Sequence, residues 1–257
     1  MDALDRVDEA ARDLLSRVDT ALVVGGAPAD HRVWSLLGRL GALPGEAYAF
    51  FAELTAAPLS DVVRATRPLA DGYRREHGAL SAGFALSTGS GLPAGSGLSA
   101  GSGWSGATAE VVREHWAAVR AHLAGGSDTL AGRLDATADH LDQVAAWIGR
   151  SRRRLAVAVA RCLTSAEAVT LHTLPVAEHG GDLIGAWLAG TRPVAGPPRA
   201  VVLAAANLGS VVLDVAAQAH DEGRDLLDRA ASRLSELRYQ EPDFGLDRPD
   251  GVTRVRL

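Results

Sequence analysis

Apolar side chains recur along this chain at helical spacing. From Ala3 to Val24 they fall at Leu4, Val7, Ala11, Leu14, Leu15, Val18 and Leu22, one face of a helix that Gly25-Gly26 stops. A short second helix is predicted from Asp30 to Leu40, carrying Val33, Leu36, Leu37 and Leu40. A third starts at Pro44, whose fixed φ suits a first helical turn. Pro58 to Phe84 reads as helix, with Ser60 able to cap its start. Pro68, which lacks an amide proton, is expected to kink or restart it.

The pattern then gives way to near-hexads, Gly89-Ser90-Gly91-Leu92-Pro93-Ala94, Gly95-Ser96-Gly97-Leu98-Ser99-Ala100 and Gly101-Ser102-Gly103-Trp104-Ser105-Gly106. A glycine-serine tract is too costly to order in a packed element, so a loop is expected. Helical spacing returns from Ala107 to Leu123. Gly125-Gly126 interrupts it, and Ser127 is expected to cap the next segment. There Leu134, Leu141, Ile148, Leu155 and Cys162 fall seven apart, with Leu130, Val144 and Ala158 at the complementary positions of the same heptad. Thr137 and Ser151 interrupt that seam, which favours packing inside a bundle over a coiled coil. Thr173 to Pro198 is rich in glycine and proline. A long helix is expected from about Arg199 to Leu237, followed by a polar tail.

Composition agrees with a helical bundle: 47% of the residues are hydrophobic, enough for a buried core, and a single cysteine excludes an internal disulfide framework. Cys162 is expected to be a buried thiol. The start, Met1-Asp2-Ala3-Leu4-Asp5-Arg6, has neither the basic residues nor the apolar block of a signal peptide. The most apolar stretch, Ala200 to Leu213, is shorter than a bilayer crossing and contains Asn207 and Ser210, so a core helix is expected and no transmembrane segment.

A formal charge of -5 gives no global attraction to nucleic acid. The one basic run is Arg150-Ser151-Arg152-Arg153-Arg154, whose plainer reading is a solvated stretch of helix. The chain has no lysine, which rules out a phosphate-loop lysine, a Schiff base and a kinase lysine.

Two catalytic motifs occur within the repeat. Gly97-Leu98-Ser99-Ala100-Gly101 matches a nucleophile elbow but lacks the strand and helix that present such a serine. Gly101-Ser102-Gly103-Trp104-Ser105-Gly106 matches a dinucleotide fingerprint, without the preceding strand and with a bulky tryptophan inside it. The histidines do not pair at ligand spacing, and His220, Asp221, Glu222 and Asp225 read as a solvated acidic face. No catalytic residue, cofactor or metal is expected.

Trp104-Ser105-Gly106-Ala107-Thr108-Ala109 continues through Val112 and Trp116 into a long amphipathic helix. This stretch resembles the WXG family of type VII (ESX) secretion substrates, over roughly Pro58 to Leu163. In that family Trp-x-Gly turns between two antiparallel helices, small residues follow, and apolar residues recur down the second helix. The resemblance makes Trp104 and Gly106 the hairpin turn, with Val112, Trp116, Leu134, Leu141, Ile148 and Leu155 as helix-seam contacts. Tyr239-Gln240-Glu241-Pro242-Asp243 fits the family's Tyr-x-x-x-Asp/Glu export signal, with Tyr239 and Asp243 at its ends.

The expected fold is all-α, a multi-helix bundle built around an antiparallel helical hairpin. Residues 1–57 form short helices packed on the bundle, 58–172 the hairpin with a Gly/Ser-rich insert at 87–103, 173–237 a connecting loop and long helix, and 238–257 a flexible tail. The expected function is non-enzymatic: a type VII secretion substrate, or a partner or chaperone of one. It would be made in the cytoplasm, exported without a Sec signal, and engage a protein partner, itself or the secretion machinery through helical faces, as monomer or dimer. The alternative is a cytoplasmic helical scaffold or regulator that holds an acidic partner through Arg150, Arg152, Arg153 and Arg154.

Overall fold

The computed structural model describes residues 2–88, 107–172 and 197–236. In chain order the helices are α1 (Asp8–Gly25), α2 (Val33–Leu40), α3 (Pro44–Glu53), α4 (Ala57–Thr88), α5 (Ala107–Leu123), α6 (Leu130–Leu163), α7 (Ala166–His172) and α8 (Arg199–Glu236). No strand occurs among the described residues, so the chain is all-α. Its contacts divide it into two compact units, Met1–Ala57 with Val144–Leu227, and Pro58–Gln143 with Asp228–Leu257.

In the first unit, α1 buries the face that its spacing predicted: Ala11, Leu14, Leu15, Val18, Ala21 and Leu22. Fully burying each large aliphatic side chain contributes roughly 1.5–3 kcal/mol. The helix begins five residues later than expected. Asp2 accepts the amide protons of Leu4 and Asp5 at 2.8 and 3.0 Å, which folds the first residues into turns while still burying Leu4. At its other end α2 stops at Gly41, whose φ of 65° is left-handed and whose amide donates to the Leu37 carbonyl at 2.8 Å.

α3 opens on Pro44 as expected, and two carboxylates satisfy its free amides. Glu46 accepts from Leu43 at 2.8 Å, and Asp19 of α1 accepts from Gly45 through both oxygens at 3.2 and 3.1 Å. A Cβ at residue 45 would lie 2.4 Å from Asp19 Oδ2, so the contact requires glycine. Burial pushes the Asp19 carboxyl up to about 7, against the lowering effect of the Gly45 amide.

α8 is the core helix of this unit. Among its buried residues Val202, Gly209, Ala216 and Gly223 fall seven apart. A Cβ on Gly209 would lie 3.0 Å from Pro44 and 3.4 Å from both Leu22 and Val18, and one on Gly223 would lie 2.8 Å from the Trp147 ring. The Trp147 indole donates to the Ala219 carbonyl at 2.9 Å and meets Phe51 edge-on at 6.3 Å. Asn207, the polar residue in the apolar stretch, is also accounted for. His31 accepts the Val33 amide on Nδ1 at 3.1 Å, which leaves Nε2 to donate to Asn207 Oδ1 at 3.1 Å. Arg199–Arg233 includes a window apolar enough to cross a membrane, longer than the sequence pattern indicated, but 67% of that window is buried within the protein.

In the second unit α4 runs through Pro68 as one helix, so of the kink or restart expected there no restart occurs. Pro68 cannot donate to the Arg64 carbonyl, but both residues are exposed, so water can take its place. Leu59, Val63, Thr66, Ala70, Tyr73, His77 and Leu80, spaced alternately four and three apart, are all buried or half-buried. The cap of α6 is Thr129, not Ser127. Its hydroxyl accepts the Gly132 amide at 3.3 Å and donates to the Gly126 carbonyl at 2.7 Å. Past α6, Ser165 caps α7 by accepting the Ala168 amide at 3.2 Å; the apolar pattern had not distinguished that helix.

Two predictions follow from these packing details. Gly223→Val places two methyl groups where Trp147 lies and is expected to cost about 1–3 kcal/mol by urea denaturation, whereas Gly149→Val, with open space around it, costs less than about 1 kcal/mol. Because the folded Asp19 carboxyl titrates above its unfolded value, the stability it contributes is complete below about pH 4 and lost as pH rises through about 7. Asp19→Asn is therefore expected to melt increasingly above the parent between pH 4 and 7.5; a constant difference in melting temperature would show that Asp19 does not titrate there.

Candidate interaction site

The arginine run of α6 is split by the turn of the helix, about 100° per residue. Arg150, Arg153 and Arg154 point outward, while Arg152 is 8% exposed. Its Nε donates to Asp2 and one terminal nitrogen to Asp5, each at 2.6 Å. Its other terminal nitrogen donates to the carbonyls of Phe51 at 3.0 Å, Ala52 at 2.5 Å and Leu54 at 3.0 Å. Arg152 thus caps the carbonyl end of α3, where a cation is favoured, and ties the first turn of the chain to α6. Hydrogen bonding to Arg152 holds the Asp2 carboxyl down at about 2, and Asp2 in turn raises the guanidinium. Arg152 therefore cannot belong to a surface patch for an acidic partner.

Arg154 pairs with Glu222 of α8, and Arg32 with Asp214 at 3.0 Å. Beside them a groove of about 400 Å³ lies between α6 and α8, lined by Arg32, Arg153, Arg154, Val157, Ala158, Arg161, Val211, Asp214 and Val215. Sequence reasoning missed Arg32, Arg161 and the valines; only the 3–4 spacing of Arg150, Arg153, Arg154, Val157 and Arg161 signals their shared face. The acidic run on α8 is solvated as expected, with Asp221 paired to Arg39, which lowers its carboxyl further. Among the described residues no three His, Cys, Asp or Glu side chains are placed to hold a metal ion. Cys162 is buried, and burial pushes its thiol up to about 11, away from the reactive thiolate form.

Of the seam residues, Ile148 and Leu155 are buried and Leu134 and Leu141 half-buried. The heptad's second position in the first half of α6 differs from expectation. Ala131 and Ala138 are buried there while Thr137 is exposed, because the helix turns its alanines inward. Trp116 is 42% exposed, on a helix whose Val111 is also exposed. The Val112 side chain, Trp104, Gly106, Ser99, the Gly/Ser insert from residue 89, residues 173–196, Tyr239 and Asp243 lie outside the described residues.

α4 and α6 run antiparallel, tied by ion pairs flanking an alanine seam. Arg67 reaches Asp139 at 3.0 Å and Asp142 at 2.7 Å, and Arg74 pairs with Asp135 and, at 2.9 Å, with Asp71. Ala70 lies between the two arginines and Ala138 between the aspartates, and both are fully buried. Exposed pairs of this kind add little to stability and serve mainly to set register.

Arg152→Ala is expected to cost about 2–4 kcal/mol in urea denaturation, since three carbonyls and two carboxylates lose a charged donor. Arg152→Lys should not rescue it, because one ammonium cannot span that set of acceptors. Arg153→Ala should stay within about 0.5 kcal/mol. Compared with family models, curated proteins and solved structures, the chain matches none.

Proposed function

We propose that this chain is a non-enzymatic helical protein of the WXG-like, type VII secretion kind, a secreted substrate or a partner of one, organised around a hairpin that turns near Trp104. The observation that carries the reading is the register of α4 against α6. Arg67 lies 37 residues before Trp104 and its partner Asp142 lies 38 after it; Arg74 and Asp135 lie 30 before and 31 after. An antiparallel pair of helices folded about Trp104-Ser105-Gly106 has this register. Glycine there would relieve a tight connection, and the tryptophan could cover the apolar end of the seam.

Alanine at the centre of the seam also suits a hairpin, since small residues let two helices approach closely. Exposed Val62 and Leu69 on α4, with Val111 and Trp116 on α5, leave apolar surface on the arms, which suits a protein that works by helix-to-helix association. On this reading Tyr239 and Asp243 are the export signal, and the chain carries out no chemistry of its own.

The test is export. In cells with intact type VII machinery the full-length chain is expected in the culture medium, and a chain lacking residues 239–257 is expected to stay in the cell. Full-length protein retained despite working machinery would overturn the secreted-substrate reading. The hairpin register is checked separately by a double-mutant cycle on Arg67→Ala and Asp142→Ala, with a small favourable coupling expected between the two.

A further inference from the structure

The outer face of the second half of α6 is unusual for a chain of net charge -5. Arg150, Arg153 and Arg161 are exposed, and none has a carboxylate partner among the described residues, whereas neighbouring Arg32 and Arg154 are held by Asp214 and Glu222. Between the arginines, Val157 is 49% exposed; across the groove Val211 of α8 is 43% exposed, next to Val215. The result is an apolar floor with a cationic edge.

We propose that this groove docks an amphipathic helix of a partner protein, with apolar residues at helical spacing laid on Val157, Val211 and Val215, and carboxylates along one edge meeting Arg153 and Arg161. Charge complementarity selects the occupant. The unpaired guanidiniums can each take a carboxylate in a two-bonded geometry, while the paired ones are already neutralised and set the limits of the cationic strip. The shape agrees, since the groove between two packed helices accepts the ridge of a third, and its valines would reward only a segment that brings apolar side chains. A sugar-phosphate backbone fits less well, because Asp214 lines the groove and the floor offers phosphate no donors. The surface exists whether or not the chain is exported, so its test stands apart from the secretion assay.

The test uses the full-length protein and labelled probes in fluorescence anisotropy. The probes are a peptide with leucine and alanine on one helical face and glutamate along its edges, the same composition scrambled, the lysine-for-glutamate counterpart, and a DNA duplex. The first peptide alone is expected to bind, more weakly as salt rises. Its affinity should fall about tenfold or more in the Arg153→Glu/Arg161→Glu protein, fall also in Val157→Ser, and stay unchanged in the exposed control Arg229→Glu. If the double variant loses its helical circular dichroism, Arg153→Gln/Arg161→Gln takes its place with the same expectation. Equal binding of the scrambled peptide would reduce the face to a simple anion attractor. Tighter binding of the duplex would make it a nucleic-acid surface. No binding, or binding indifferent to the arginine changes, would likewise overturn the proposal.

Discussion

The guanidinium of Arg152 can be buried only because five acceptors are brought to it. Taking a charge out of water costs several kcal/mol unless its donors are satisfied, so its burial requires the first turn of the chain and the carbonyl end of α3 to meet α6 at one place. That requirement is directional, unlike the apolar contacts of α1 and α8 around it, which would tolerate small slips. Hydrophobic burial supplies the stability of this unit, and the arginine specifies which ends meet. Asp19 acts in a related way at the opposite end of α3, satisfying an amide where Arg152 satisfies carbonyls. The short helix α3 is therefore held at both termini by side chains from other helices.

Close approach of helices is the second constraint, and it explains where the chain spends its small residues. Gly209 and Gly223 admit Pro44 and the Trp147 ring against the backbone of α8, and Ala70 and Ala138 are fully buried beside the ion pairs of α4 and α6. Large aliphatics at these sites would bury more area but push the helices apart, losing the dispersion contacts that a dense core depends on. The charged pairs beside the alanine seam are half exposed and individually weak. Their value is that only one register satisfies Arg67 and Arg74 together.

The same arginine run illustrates both uses of charge. One residue faces inward and fixes the fold, while its neighbours, rotated by about 100–200° around the helix, stay in water and create a cationic edge beside exposed valines. Surface and core functions are thus interleaved within five residues, which is why truncating one arginine should destabilise the unit and truncating the next should not.

Most of the helices, α7 excepted, could be read from the pattern of apolar and polar positions. The periodicity of α1, the approximate extent of α8, the proline at the start of α3, the glycines after α1 and before α6, and the buried Cys162 were all legible, because each reflects local geometry or the partition of apolar side chains. Tertiary structure decided what local patterns could not. Five consecutive cationic or polar residues look alike in sequence, and only the arrival of Asp2, Asp5 and the end of α3, about a hundred and more residues away, turns Arg152 inward. Likewise Thr129 rather than Ser127 caps α6, Pro68 sits unbroken within α4, alanines rather than the neighbouring threonine line the seam, and Trp116 stays exposed. The seam depends on which face a distant segment covers, and that information is carried by no single stretch of the chain.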